Sequence, residues 1–263
     1  MYFRNGNKLI MIKKYIKKIP LITRIYRQIL QFKMFQVFKN EFNRFKSMDT
    51  EKRFDIQWKD RFPCLQNLDL LASFDFHYVY HTAWAARVLA EIMPKQHVDI
   101  SSHIPFNAIV SAFIPIKFYD YNPVNLVLSN LESMQVDLLS LDFNDSSIES
   151  LSCMHVIEHI GLGRYGDPIN PDGDLIAIKE LKRVLAVDGN LLFVVPISGT
   201  PKIQFNAQRI YSYEQIINYF KEFVLIEFAL IPDYPCTSGI IRHASQQMAN
   251  EQTYGCGCFW FRK

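Results

Sequence analysis

His155, Glu158 and His159 fall within five residues of one another, in the run HVIEH. Imidazole and carboxylate at that spacing can move protons, because a neutral histidine titrates near neutral pH and a carboxylate beside it fixes its tautomer. Two histidines four apart could instead hold zinc with Glu158 as base, since H-x-x-E-H also serves zinc-dependent peptide hydrolysis. Gly161 and Gly163 follow at once, so little helix remains to present the pair. No third ligand stands out downstream, and no metal is expected here. The chain continues as GLGRYGDPINPDGD, residues 161–174. Arg164 and Tyr165 are suited to gripping an anionic or sugar-like molecule, with His159 and Asp167 beside them as further substrate contacts. The glycines of this loop do not make a phosphate cradle, because the GK[ST] ending is missing.

Strand-end carboxylates supply a second group of candidates. Asp120 closes the apolar run IKFYDY, and Asp137 lies in MQVDL. In an open parallel sheet, an acid at the end of the second strand holds a ribose hydroxyl pair, and one at the third could accept from a purine amine. The ordinary alternative is that both cap turns. The turn after the first strand reads Val98-Asp99-Ile100-Ser101-Ser102-His103, with no glycine to let a nucleoside approach the backbone closely. Small hydroxyl side chains at Ser101 and Ser102 keep a site possible. His77 and His81, one helical turn apart, are expected to be satisfied or solvated rather than metal-bound. Cys256-Gly-Cys258 with Cys236 and His243 is expected to be small residues in a terminal strand rather than a metal site.

These residues need a scaffold, and residues 148–196 describe it. A buried strand over Ile148–Met154 leads through the polar loop to a helix with Leu175, Ile178, Leu181, Val184 and Leu185 on one face. Asp188-Gly189 turns the chain into a second apolar strand over residues 190–195, which Pro196 should stop. Strand, crossing helix and strand imply a parallel sheet covered on both faces, with ligands beyond the carboxyl ends of its strands. His155, Glu158 and His159 then stand at that rim. Upstream, a helix over residues 74–93, strands over 97–100, 116–121 and 134–138, and a short helix over 107–113 precede the unit. Downstream come a helix over 213–220 and strands over 223–230 and 257–262.

The 263 residues can bury one large core plus an appendage, and a near-zero mean hydropathy marks a globular chain. Net charge is +3, but residues 1–46 hold twelve Lys/Arg against the one acid Glu41, so the remainder carries −8. Within residues 9–42, bulky apolar and basic residues alternate at helical rhythm around Pro20. A basic amphipathic extension of this kind suits an anionic membrane surface, or an arm packed on the body. Nucleic acid is not expected. Five cysteines at no framework spacing suit a reducing cytosol. Neither a signal peptide nor a spanning helix is expected, so the chain reads as cytoplasmic, peripheral at most on the inner face of a membrane.

The segment DLLSLDFNDSSIESLSCMHVIEHI is similar to the third-to-fourth-strand region of class I S-adenosylmethionine-dependent methyltransferases. The longer run HVIEHIGLGRYGDPINPDGD, with VDISS upstream and GCGCFWFRK at the end, resembles the DUF268 family, a methyltransferase-like family. The likeness covers about residues 60–263. It implies a Rossmann-like, doubly wound, mostly parallel α/β sheet over residues 74–263, with a linker over 47–73 and the helical extension over 1–46. It also implies S-adenosylmethionine as cofactor. Asp99, Ser101 and Ser102 would lie at its methionine end, Asp120 at the ribose and Asp137 at the adenine amine. His155 would then stand beside the transferred methyl, with Glu158 as its catalytic companion. The expected reaction is O-methylation of a sugar or lipid-linked glycan. The rival is a methyltransferase-shaped scaffold that has lost its cofactor and binds a partner.

Overall fold

The computed structural model describes residues 20–50, 56–63, 75–235 and 238–263, with side chains from residue 28 onward. Cys64, Cys236 and the expected helix before Pro20 lie outside the described residues. Two compact units divide between Phe74 and Asp75.

In the first unit, helix α1 (Pro20–Met48) begins at a proline, which suits the first helical position because its missing N–H would have no partner there. Phe35, Phe38 and Phe42 pack around Trp58, with Phe42 edge-on at 4.9 Å. Ile29, Phe32, Val37 and Phe45 are exposed at other angles around the helix, so its apolar side chains do not form one stripe.

The second unit opens with α2 (Phe76–Ile92), capped by Asp75, whose carboxylate accepts from Tyr78 N–H. Its alanine-rich body ends at Met93 in a left-handed conformation, just before Pro94. Then follow β1 (His97–Ile100), α3 (Ile104–Val110), β2 (Ile116–Asp120), β3 (Leu131–Gln135) and β4 (Ile148–Met154). A short 3-10 turn (Ile157–His159) and the polar loop lead to α4 (Gly173–Val184) and β5 (Leu185–Ile197). The rest is a hairpin of β6 (Lys202–Gln204) and β7 (Gln208–Ile210), then α5 (Tyr213–Tyr219), β8 (Val224–Ile231), α6 (Gln246–Asn250) and β9 (Gly255–Arg262).

Seven strands form one sheet in the order β3-β2-β1-β4-β5-β9-β8. All neighbours are parallel up to β5, while β9 runs antiparallel between β5 and β8. The expected doubly wound, mostly parallel sheet is therefore present. Side chains of β5 alternate between two cores. Leu191, Phe193, Val195 and Ile197 join α4 and α5 on one face, while Leu192 and Val194 join α2 and α3 on the other.

Several boundaries differ from the sequence expectation. β3 starts at Leu131 because Leu131 pairs with Ile116, which leaves Asp137 two residues beyond the strand. α3 starts three residues earlier than expected, with Pro105 in its first turn. β5 runs through Pro196 rather than stopping there. That proline sits opposite Cys256 of β9, and its carbonyl accepts from Tyr211 N–H at 3.0 Å.

Candidate functional site

The carboxyl ends of β1, β2 and β4 share one rim, and antiparallel β9 brings its own beginning to the same rim, Cys256 lying beside Pro196. His155 follows β4 directly, in a left-handed conformation (φ 56°) that β4 and its neighbours hold in place. Its N–H donates to the carbonyl of Val194 at 2.9 Å. Its Nδ1 donates to Oε1 of Glu158 at 2.7 Å, so Nε2 is the acceptor nitrogen. That nitrogen lies 3.3 Å from Cys256 Sγ, across the end of β5. The His77 ring, from the first turn of α2, lies 5.6 Å from the His155 ring, centre to centre, and the Tyr78 ring lies 5.3 Å away. Tyr254 covers the other side of His77 at 5.1 Å.

Glu158 is fully buried, and its bond to His155 Nδ1 joins it to the rim. Its Oε2 has no hydrogen-bond partner among the described residues. Burial, with the His155 charge second, lowers His77 to about 4, and burial also lowers His81 and His159. Burial pushes the Cys256 thiol well up, so it is protonated at neutral pH.

The polar loop is organised by Asp167 rather than opened by it. One carboxylate oxygen of Asp167 accepts from Gly161 N–H at 2.7 Å and Gly163 N–H at 3.3 Å, and the other accepts from Tyr165 N–H. Burial pushes its pKa up, but these N–H donors outweigh it and the net shift is downward. Asp167 thus holds the loop together while remaining half-buried. His159 donates from Nδ1 to the carbonyl of Ala207 at 2.7 Å, and Arg164 donates to the same oxygen at 2.9 Å. Arg164 also lies over the exposed ring of Tyr165, 5.1 Å from its centre. Arg209, to which the sequence drew no attention, is buried beneath. It donates to Ile160 O at 2.6 Å and Pro171 O at 3.1 Å, and pairs with Asp174 at 3.5 Å. Nothing in the local sequence marks it, since it is a single arginine in a three-residue strand.

At the other end of the rim, Asp99 is fully buried. Its carboxylate accepts from Ser102 N–H at 3.1 Å, Asn107 Nδ2 at 2.9 Å and the Ser152 hydroxyl. Burial, the largest influence, raises its pKa against these donors. Ser102 Oγ accepts from Met154 N–H at 3.0 Å. Asp99 and Ser102 therefore tie β1, α3 and β4 together, and the hydrogen bonds of both run within the fold. Ser101 remains half-buried at the rim, in a left-handed conformation (φ 57°) where glycine would sit without strain. Asp120 accepts from Asn122 N–H at 2.8 Å and Asp137 from Leu139 N–H at 2.9 Å, each through one oxygen. Among the described residues nothing bonds the second oxygen of either. That donor set fits the ribose and adenine end of a nucleoside cofactor, while the Ser101 side chain narrows the end where the methionine would lie.

Residues 126–233 match the model of the family described as "Caenorhabditis protein of unknown function, DUF268". The DUF268 segment contains the HVIEHIGLGRYGDP run, and it is narrower than the likeness expected from the sequence: β1, β2, His77 and Cys256 lie outside it. No curated protein matches the chain. Among solved structures, it is similar to the 1,6-didemethyltoxoflavin-N1-methyltransferase of Burkholderia thailandensis bound to S-adenosylhomocysteine. Identity is 12%, over 70% of this chain and 78% of that one, with a TM-score of 0.48. It is also similar to the N-methyltransferase NodS of Bradyrhizobium japonicum WM9 in complex with S-adenosylhomocysteine. There identity is 14%, over 83% of this chain and 97% of that one, with a TM-score of 0.46. At such identities the likeness is one of fold. The sheet order around the DUF268 segment, with its antiparallel strand inserted next to the last, is that of the class I methyltransferase fold.

Proposed function

We propose that the chain is a methyltransferase using S-adenosylmethionine, with a hydroxyl of a sugar or lipid-linked glycan as acceptor. The observation that carries this reading is His155 at the end of β4, its ring oriented by a buried carboxylate and its Nε2 left as an acceptor. When bound, the cofactor supplies a methyl on a positively charged sulfur, so an O–C bond can form as the S–C bond breaks and its electron pair stays on sulfur. Asp120 accepts from the ribose hydroxyls and Asp137 from the adenine amine. The proton of the acceptor hydroxyl passes to the His155 end of the rim. The exposed Tyr165 ring, with Arg164 over it, offers a flat face and a cation to a sugar. Alignment of acceptor and methyl supplies much of the remaining rate.

Calorimetric titration with S-adenosylmethionine and S-adenosylhomocysteine tests this, with Asp120→Ala as control. Micromolar binding that the variant loses supports it. Silence up to millimolar cofactor overturns it in favour of the non-catalytic scaffold, the reading that Ser101 favours by standing where glycine would give room. A membrane-anchored acceptor also suits the charge of residues 1–46, the part we assign to anionic membrane. Vesicle binding that survives removal of those residues would discard that assignment. No described helix is long and apolar enough to cross a membrane.

A further inference from the structure

We propose that His77, His155 and Cys256 form a binding site for a borderline-soft divalent metal ion, zinc foremost, with Glu158 fixing the His155 ligand from behind. The three come from the first turn of α2, the residue after β4 and the second residue of β9, and their donor atoms all lie within 4.8 Å of one another. No local motif joins them.

Geometry supports an ion between them. His155 Nε2 and Cys256 Sγ are 3.3 Å apart. A tetrahedral zinc, roughly 2.0 Å from nitrogen and 2.3 Å from sulfur, would hold such a pair about 3.5 Å apart. The His77 and His155 ring centres are separated by 5.6 Å. Two imidazoles on one such ion have centres about 5 Å apart. His77 has to bring its donor atom, within 4.8 Å of the other two, to roughly 3.3–3.5 Å from them. The Nδ1–H of His155 is already donated to Glu158, the carboxylate–histidine arrangement that orients a metal ligand and raises its basicity.

Charge points the same way. Glu158 is a fully buried carboxylate, and its Oε2 has no hydrogen-bond partner among the described residues. A buried charge without a counter-charge is costly. A divalent ion, the Cys256 thiolate and the Glu158 carboxylate together carry no net charge. Two histidines and one cysteine leave a tetrahedral ion one open position, the pattern of catalytic rather than structural zinc. Soft sulfur with imidazole argues against magnesium or calcium, which prefer oxygen.

This inference goes beyond methyl transfer and does not depend on it. If both hold, His155 would be taken up as a ligand, and an acceptor hydroxyl in the open position of the ion would be acidified and give its proton to solvent rather than to His155. The test therefore uses no cofactor. The full chain, stripped with a chelator, is titrated with zinc against a competing chromophoric chelator, and with cobalt while absorption is recorded. One equivalent of zinc and a thiolate-to-cobalt charge-transfer band in the near ultraviolet are expected. Cys256→Ser should abolish the band, and His77→Ala should weaken zinc by more than the roughly 10–100-fold typical of an outer-shell change. Circular dichroism checks that each variant folds, and His77→Ala, at a half-buried helix start, serves if Cys256→Ser does not. No stoichiometric binding, a band that survives Cys256→Ser, or unchanged affinity in folded His77→Ala overturns the site. Cofactor calorimetry on the zinc-stripped chain separates its failure from that of the methyltransferase reading.

Discussion

Glu158 Oε1 lies 2.7 Å from His155 Nδ1, three residues back along the chain, and this one bond decides which edge of the His155 ring faces the rim. Glu158→Gln keeps an oxygen for the Nδ1–H but removes the charge. Zinc affinity should fall about 10–100-fold while the cobalt–thiolate band remains, as expected for an outer-shell partner. Loss of the band would mean that Glu158 itself is a ligand.

Ser101 predicts a gain rather than a loss. A non-glycine residue at φ 57° stores about 1 kcal/mol of backbone strain, and the Ser101 hydroxyl donates to Tyr119 O at 3.4 Å. That strain is present with and without a ligand and cancels from binding, so Ser101→Gly should gain up to about 1 kcal/mol of stability and bind S-adenosylhomocysteine at least as tightly as the parent chain. Calorimetry of the two proteins side by side decides it, and weaker binding by the glycine variant would show that the hydroxyl is a cofactor contact.

The polar loop offers a comparison between two glycines. A Cβ at Gly161 (φ 78°) would lie 2.0 Å from the carbonyl oxygen of Asn170, whereas at Gly166 (φ 85°) nothing lies within 4 Å. Gly166→Ala should therefore cost only the left-handed penalty, about 1 kcal/mol. Gly161→Ala adds a backbone clash and should cost clearly more. Urea midpoints of the two variants give the difference, and equal midpoints would mean that the loop yields freely.

Arg209 should be among the most sensitive positions. Arg209→Leu leaves the carbonyls of Ile160 and Pro171 without their donor and Asp174 without its cation. Breaking a buried pair in this way costs about 3–5 kcal/mol. A loss below about 1 kcal/mol in chemical denaturation would show that the loop is held mainly by Asp167.

Acid stability should reflect Glu227. This buried carboxylate accepts from Trp84 Nε1 at 3.1 Å and Arg242 Nε at 2.9 Å. Burial raises its pKa, but these partners outweigh that and leave it lowered. A carboxylate with a depressed pKa adds stability above its unfolded value, about 4.3, and loses it as pH falls through the folded value. Glu227→Gln should be less stable at pH 7 by about 2 kcal/mol, the worth of hydrogen bonds to a charged group. The gap should close below about pH 4. A gap that persists at pH 3 would assign the loss to packing.

Much of the scaffold was legible because its signals are local. Ile148–Met154, the periodic face of α4 and the apolar run of β5 each announce their element within a dozen residues, and Asp120 followed from the end of β2. His155 at the rim followed from the same unit. What stayed hidden depends on distant chain. Cys256 reaches His155 only because β9 inserts antiparallel beside β5, and hydrophobic patterning does not encode which strand neighbours which. The internal partners of Asp99 and Asp167 were hidden as well. Each has the residue type and position of a ligand contact, and its backbone and side-chain donors become visible only in the folded chain.

The insertion of β9 between β5 and β8 also sets an order of assembly during synthesis. β8 is made before β9, yet among the described residues its only strand partner in the sheet is β9. Until Gly255–Arg262 has left the ribosome, β5 lacks its second neighbour and β8 has none, so both expose unpaired edges to other chains. Cys256 arrives with that last strand, and the three donor atoms exist together only in a finished sheet. Uptake of the proposed ion would thus report that β9 has taken its place between β5 and β8.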